Sequence, residues 1–389
     1  MTRDTPDPVS TPPMGWNSWN AVGCLVTEQD VRRAADLLVE TGLADLGYEY
    51  VVVDDCWMAE ETDDDGRLLA DPEDFPAGIG DLAAYVHDRG LEFGIYSSAG
   101  SETCQDFPAS LGRERLHAEQ FAEWGVDYLK YDNCGDHDGR DAVDRYAAMG
   151  NALDAVDRDI VYSICEWGHN DPWLWGRNVG GHLWRTTGDI VATWSNPEDE
   201  FGLGVVDIID RVAERGIAGY QAPGGWNDPD MLQIGNGPES DHEGDSADRG
   251  FTGAEERTHF GFWCLWSAPL MIGTDLAALS GRTHALLANE DAIAINQDPL
   301  GIQGSRDRAY GEREVWSKRL AGGEAAVILF NRGEESREVA THVEEVDLPS
   351  DTDRVRVRDC WSGETWESRG NIHDEVAPHD VALLRLSPA

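Results

Sequence analysis

Lysine is nearly absent from this 389-residue chain, which has only Lys130 and Lys318. With 30 basic residues against 75 acidic ones the formal net charge is -45, which leaves little basic surface for nucleic acid or an anionic membrane to grip. Self-repulsion of that size destabilises a compact chain at low ionic strength, and molar salt, with a Debye length of about 3 Å, relieves it. Salt adaptation is the expectation. Long apolar runs are missing too: none approaches the roughly 18 residues that a membrane span requires. The start, MTRDTPDPVSTPPMGW, lacks the succession of regions of a signal peptide, so a cytoplasmic protein, or the processed form of an exported one, is expected. Cysteine is sparse, seven in all with no CxxC pair, and histidine forms no HxH cluster. Zinc and other metals are therefore not expected, nor is any cofactor, and a metal-dependent barrel hydrolase is a weak reading.

What is present suffices for a large core: 41% of residues are hydrophobic and 15 are tryptophan, which excludes a disordered chain. From Pro8 to about residue 295 short apolar segments alternate with amphipathic stretches. Eight strand candidates follow one another, MGWNSW, VVVDDC, FGIYS, YLKYD, IVYSICE, LWRTT, AGYQAPGGW and LMIGT. Eight such units predict a (β/α)8 barrel over residues 1–299. Between them, Thr27 with Asp30 reads as a capping box, Val31, Ala34, Ala35 and Leu38 as the apolar stripe of a helix, and Gly42 as its end. The acidic stretch 236–249 reads as a solvated loop. After AINQDPLGIQG the pattern changes to period two with Gly, Asp and Ser turns, predicting an antiparallel β-sandwich over 300–389.

In a (β/α)8 barrel the carboxyl ends of the strands carry the chemistry. Here they carry Asp54 and Asp55, Tyr96, Lys130 and Asp132, Glu166 and Trp167, Arg185 and Asp189, then Asp228 and Asp230. Residues i and i+2 share a strand face, so Lys130 and Asp132 point the same way, and the lysine is expected to keep that carboxylate ionised as a nucleophile must be. Asp189, crowded by other carboxylates, is expected to hold a proton as a general acid, with Arg185 as a bidentate donor beside it. Asp54 and Asp55 offer adjacent acceptors for vicinal hydroxyls, and Trp19, Trp57 or Trp167 an apolar platform for a sugar ring.

The motifs PPMGWNSWN, VVVDDCW, YLKYDNC, SICEWG, WRTTGDI, GGWNDPDML and INQDPLG, in that order, resemble glycoside hydrolase family 27, the α-galactosidases and α-N-acetylgalactosaminidases. The resemblance implies a barrel followed by a β domain, an α-galactoside oligosaccharide as substrate, and hydrolysis with retention. By it Asp132 is the nucleophile and Asp189 the acid/base. Trp19, Asp54, Asp55, Tyr96, Cys104, Lys130, Glu166, Trp167, Arg185 and Asp230 are the substrate contacts, with Glu166 favouring galactose over its N-acetylamino analogue. It further implies proximity of Cys24 to Cys56 and of Cys104 to Cys134, with their oxidation left open, since cytosolic thiols are normally reduced. Ser98 and the GHN after CEW depart from the family pattern and leave contacts beyond the galactose ring unassigned. α-N-Acetylgalactosaminidase and β-L-arabinopyranosidase activities are the close alternatives, and a non-catalytic galactose-binding protein the distant one. The oligomeric state is left open, a homo-oligomer included.

Overall fold

The computed structural model describes residues 9–199, 201–237, 250–349, 352 and 354–389. Most of the expected acidic loop, residues 238–249, thus lies outside the described residues, as do residues 1–8. Eight parallel strands curl into one sheet: β1 (Met14–Asn17), β2 (Tyr50–Val52), β3 (Glu92–Ser98), β4 (Tyr128–Asp132), β5 (Val161–Ile164), β6 (Leu183–Arg185), β7 (Trp226–Asp228) and β8 (Leu270–Ile272). β8 pairs with β1, and the ring closes just past β7. There the Leu232 N–H donates to the Met271 carbonyl at 2.8 Å and the Leu232 carbonyl accepts from Gly273 N–H at 2.8 Å. The fold is a (β/α)8 barrel with a C-terminal antiparallel β-sandwich.

Around and after the sheet run α1 (Trp19–Val22), α2 (Glu28–Glu40), α3 (Ile79–His87), α4 (Glu114–Trp124), α5 (Ala142–Asp154), α6 (Val205–Arg215), α7 (Gly253–Leu265), α8 (Gly281–Leu287) and α9 (Glu290–Asn296). α2 starts as its sequence predicts. Thr27 Oγ1 accepts from Asp30 N–H at 3.4 Å, while the Asp30 carboxylate accepts from Thr27 N–H at 2.9 Å, so two amides that the helix leaves unpaired find partners. Its buried residues are the expected Val31, Ala34, Ala35 and Leu38, and Gly42, at φ 80°, turns the chain away.

Alternation along the strands makes two layers. Tyr50, Val52, Tyr128, Val161, Leu183, Trp226 and Met271 fill the barrel interior, whereas Val51, Val53, Leu129, Ile164, Trp184 and Ile272 face the helices. β1 presses so closely on β2 that a Cβ at Gly15 would lie 2.2 Å from the Tyr50 carbonyl oxygen. The expected seventh strand, AGYQAPGGW, is corrected: Ile217–Tyr220 is a 3-10 turn, Ala222 and Gly225 form a tight bridge, and only Trp226–Asp228 is strand. Gly216 and Gly224 at positive φ, with Pro223 between them and the strand, stop pairing until Trp226.

The C-terminal strands are β9 (Ser305–Tyr310), β10 (Arg313–Leu320), β11 (Glu324–Asn331), β12 (Arg337–His342), β13 (Val355–Asp359), β14 (Thr365–Ser368), β15 (Asn371–Val376) and β16 (Asp380–Pro388). They form an antiparallel sheet in the order β14-β13-β16-β11-β10-β9, faced by the pair β12-β15. β11 is apolar on both sides. Val327 and Leu329 point into the sandwich, whereas Ile328 and Phe330 pack toward the barrel, where Phe330 and Trp316 each meet Phe262 of α7 with ring centroids 5.2 Å apart. Lys318 is buried at this junction and donates to Ser267 Oγ at 2.7 Å and to the Cys264 carbonyl at 3.2 Å. Both lysines of the chain therefore sit in the interior, which the overall depletion of lysine does not reach. Among the described residues no helix is long and apolar enough to cross a membrane.

Candidate active site

The inward i, i+2 series that fills the barrel with apolar groups turns polar at the carboxyl end: Tyr128 leads to Lys130 and Asp132, Leu183 to Arg185, and Trp226 to Asp228. A cleft opens there, lined by Trp19, Asn20, Asp54, Asp55, Tyr96, Cys104, Lys130, Asp132, Asp189, Asp230 and Met231. Asp132 lies on its floor, only 5% exposed, while the Asp189 side chain is 41% exposed at its mouth.

Strand register explains how Asp132 is held. Tyr96 of β3 lies opposite Lys130 of β4, and its hydroxyl donates to Asp132 Oδ2 at 2.9 Å. Burial first, then the charges of Asp132, Asp55 and Asp54, push the Tyr96 phenol well above its ordinary value, so it stays a donor. Asn133 N–H supplies a second bond, to Oδ1 at 2.9 Å. Lys130 does not bond Asp132 directly: its ammonium donates to Asp54 Oδ2 at 2.8 Å, alongside Asn17 Nδ2 at 2.7 Å. The expected ionisation of Asp132 is thereby corrected. Burial raises its carboxyl above the usual value, with Lys130 pulling it back down and Asp189 pushing it up again. The lysine acts as a neighbouring charge whose nearest partner is another acid.

Arg185, its side chain 3% exposed, bridges the other half of the cleft, with Nη2 2.8 Å from Asp189 Oδ1 and Nη1 3.0 Å from Asp230 Oδ1. The expected crowding at Asp189 thus includes a guanidinium. Asp230 holds a left-handed backbone, φ 91°, and accepts from Ile190 N–H at 2.8 Å, which ties the seventh strand end to the residue after Asp189. Burial raises the Asp230 carboxyl, against the pull of Arg185. Asp55, accepting from Cys56 N–H at 2.8 Å and Gln105 N–H at 3.2 Å, is pushed up to about 7, chiefly by burial.

Two disulfides frame the cleft, Cys24 with Cys56 (Cα–Cα 5.1 Å) and Cys104 with Cys134 (5.0 Å), the first beside Asp55 and the second two residues past Asp132. Cys165, Cys264 and Cys360 are free and buried. At the opposite end of the barrel His87, Glu92 and Asp127 lie close enough to share an ion, but Asp127 is already bonded by Arg158, by His87 Nε2 at 2.7 Å and by Phe93 N–H at 2.9 Å.

A family model described as alpha galactosidase A matches residues 11–298, and one described as the alpha galactosidase C-terminal beta sandwich domain matches 310–386. The chain belongs to the α-galactosidase family. It is 43% identical to an α-galactosidase of Oryza sativa, covering 97% of this chain and 85% of that one. To the α-galactosidase of Coffea arabica it is 45% identical, covering 97% and 94%. Its fold superposes on α-galactosidase I from Mortierella vinacea with a TM-score of 0.91 at 36% identity, over 98% of both chains.

Of the residues that the α-galactosidase motifs single out, the cleft brings together Trp19, Asp54, Asp55, Tyr96, Cys104, Lys130, Asp132, Asp189 and Asp230, with Arg185 directly behind the last two. Glu166 is not among them. It is wholly buried and its carboxylate is taken up by Asn170, through the backbone N–H at 3.0 Å and the side-chain amide. Trp167 turns to the rim, and Trp57 is a core residue whose indole donates to the Tyr96 carbonyl at 2.9 Å, so only Trp19 of the three tryptophans lines the cleft. Asn17, Asn20 and Met231 are contacts that reading the sequence missed. Asn17 carried a signal, being the inward residue at the end of β1, two past Gly15.

Proposed function

We propose that this chain hydrolyses terminal α-D-galactosyl residues with retention. Asp132 attacks the anomeric carbon while Asp189 protonates the departing oxygen; water activated by Asp189 then opens the galactosyl-enzyme, and the second inversion releases α-galactose. The observation that carries this reading is one cleft with a buried carboxylate on its floor and a half-exposed one at its mouth, each held by its own donors. The floor position suits a nucleophile shielded from water. The mouth position suits a group that must meet a leaving hydroxyl and then a water molecule.

Trp19 supports the apolar ring face, while Asp54, Asp55, Lys130, Arg185 and Asp230 supply hydroxyl contacts. Asp132→Asn is expected to abolish turnover while leaving binding of galactose, and proton NMR of the first product is expected to show the α anomer. A first-formed β anomer would overturn retention, and full activity in the variant would overturn the choice of nucleophile. Related sugars, β-L-arabinopyranosides and N-acetylgalactosaminides, are distinguished by a nitrophenyl glycoside panel, in which the α-galactoside is expected to be cleaved fastest. We also read the charge of -45 and the two interior lysines as adaptation to concentrated salt.

A further inference from the structure

Three aromatic rings stand together at the rim of the cleft. Trp167 meets Phe201 edge to face with centroids 5.3 Å apart, His169 lies 5.5 Å from Trp167 and 6.1 Å from Phe201, and Phe201 is 49% exposed. Their backbones tie them to the acid at the mouth. Leu203, two residues past Phe201, donates its N–H to the Asp189 carbonyl at 2.7 Å and accepts from Val191 N–H at 2.9 Å. On the other side the turn after β5 puts Trp167 at φ 59° and Gly168 at φ 75°, and a Cβ on Gly168 would come 2.5 Å from the carbonyl of Thr186, three residues before Asp189.

The loop that presents Phe201 is fixed. Asn196 Nδ2 donates to the Gly202 carbonyl at 2.7 Å, Phe201 N–H to Asp199 Oδ1 at 3.0 Å, and Ser195 Oγ to Asp207 Oδ1 at 3.0 Å. A large apolar ring left half in water on a braced loop, beside the residue that the leaving group must pass, has a use if that group has an apolar face of its own. Sugar rings have such a face, and stacking on an aromatic edge-to-face cluster buries it. The leaving group exits at the mouth because Asp132 closes the floor.

We propose, resting on the hydrolysis set out above, that Phe201, backed by Trp167 and His169, is the specificity-determining surface for the first ring beyond galactose, and that this ring is a sugar. The test compares kcat/KM for melibiose, whose leaving group is glucose, with that for methyl α-galactoside, whose leaving group has no ring. Phe201→Ala is expected to lower the ratio of the two about 10-fold, through KM for melibiose, and Phe201→Tyr to restore it. An unchanged ratio, or a loss that falls equally on both substrates, would overturn the inference. Should the unaltered protein cleave neither substrate, the failure would be that of the hydrolase reading itself.

Discussion

Arg185 holds Asp189 and Asp230 on the two arms of one guanidinium, at 2.8 and 3.0 Å. The arrangement orients the mouth carboxylate against a buried anchor instead of leaving it to solvent. Its consequence is a dependence on the leaving group. A sugar hydroxyl leaves poorly without a proton, whereas nitrophenolate leaves unaided. Asp189→Ala is therefore expected to lose about 10²–10⁴-fold on melibiose and far less on p-nitrophenyl α-galactoside. Added azide is expected to speed the variant by intercepting the galactosyl-enzyme. Equal losses on the two substrates would remove Asp189 from the acid's role.

Lys130 does two things at once. It neutralises buried Asp54 at 2.8 Å, and its charge opposes the burial that raises Asp132. Removing the ammonium in Lys130→Met is thus expected to raise the pKa of Asp132 further, so the acid limb of kcat/KM moves to higher pH. Leaving Asp54 buried without its partner costs about 3–5 kcal/mol of folding stability. Rate profiles against pH and chemical denaturation measure the two effects separately. An acid limb that stays in place would mean that Lys130 serves Asp54 alone.

Strand ends were legible in the sequence because period two and the barrel's polarity together say which residues meet, and this fixed Asp132, Lys130, Arg185 and Asp54. Partner choice was not legible. Spacing puts Lys130 and Asp132 on one face, but Lys130 reaches past β3 to Asp54 on the far side, a preference set by the packed distance between strands. Glu166 and Trp167 were misplaced for a different reason. The chain leaves β5 through two consecutive left-handed residues, which swings Trp167 to the rim, and Asn170 folds back onto Glu166. Likewise AGYQAPGGW is apolar enough for a strand, yet its glycines and proline keep it from pairing.

Asp55 gives a pH signature in stability. Its folded pKa, about 7, lies above the ordinary aspartate value of about 3.9, so between these limits the folded state binds more protons than the unfolded one. Stability from this group is full below about pH 4 and is lost as pH rises through 7. Asp55→Asn cannot ionise and escapes that loss. Its melting temperature relative to the unaltered protein is expected to rise from pH 4 to pH 8, a difference of a few kcal/mol at about 1.36 kcal/mol per pKa unit. A constant difference across that range would show that Asp55 ionises freely in the fold.

The disulfides predict a thiol count. Purified and unfolded without reductant, the protein is expected to show three reactive thiols, Cys165, Cys264 and Cys360, and all seven after reduction. Because Cys104–Cys134 spans the loops on either side of Asp132, and Cys24–Cys56 anchors the residue after Asp55, reduction is expected to lower kcat before it unfolds the chain. Seven thiols without reductant would match the cytoplasmic placement expected from the sequence, where such bonds do not persist.

Salt dependence separates the two meanings of the charge. An acidic protein of ordinary habitat gains stability only until its nearest repulsions are screened, at about 0.1–0.2 M, where the Debye length is already 8–10 Å. A chain at -45 has acidic neighbours closer than that over much of its surface, and needs the roughly 3 Å screening of molar salt. Its exposed arginine pairs, such as Arg115 with Glu119 and Arg354 with Glu367, pull the other way, but pairs of this kind are worth about 0–1 kcal/mol each and weaken with the same salt. Repulsion therefore dominates, and the melting temperature and the rate on p-nitrophenyl α-galactoside are both expected to keep rising from 0.2 to 2 M KCl. A plateau by 0.2 M would leave an acidic enzyme with no adaptation to brine.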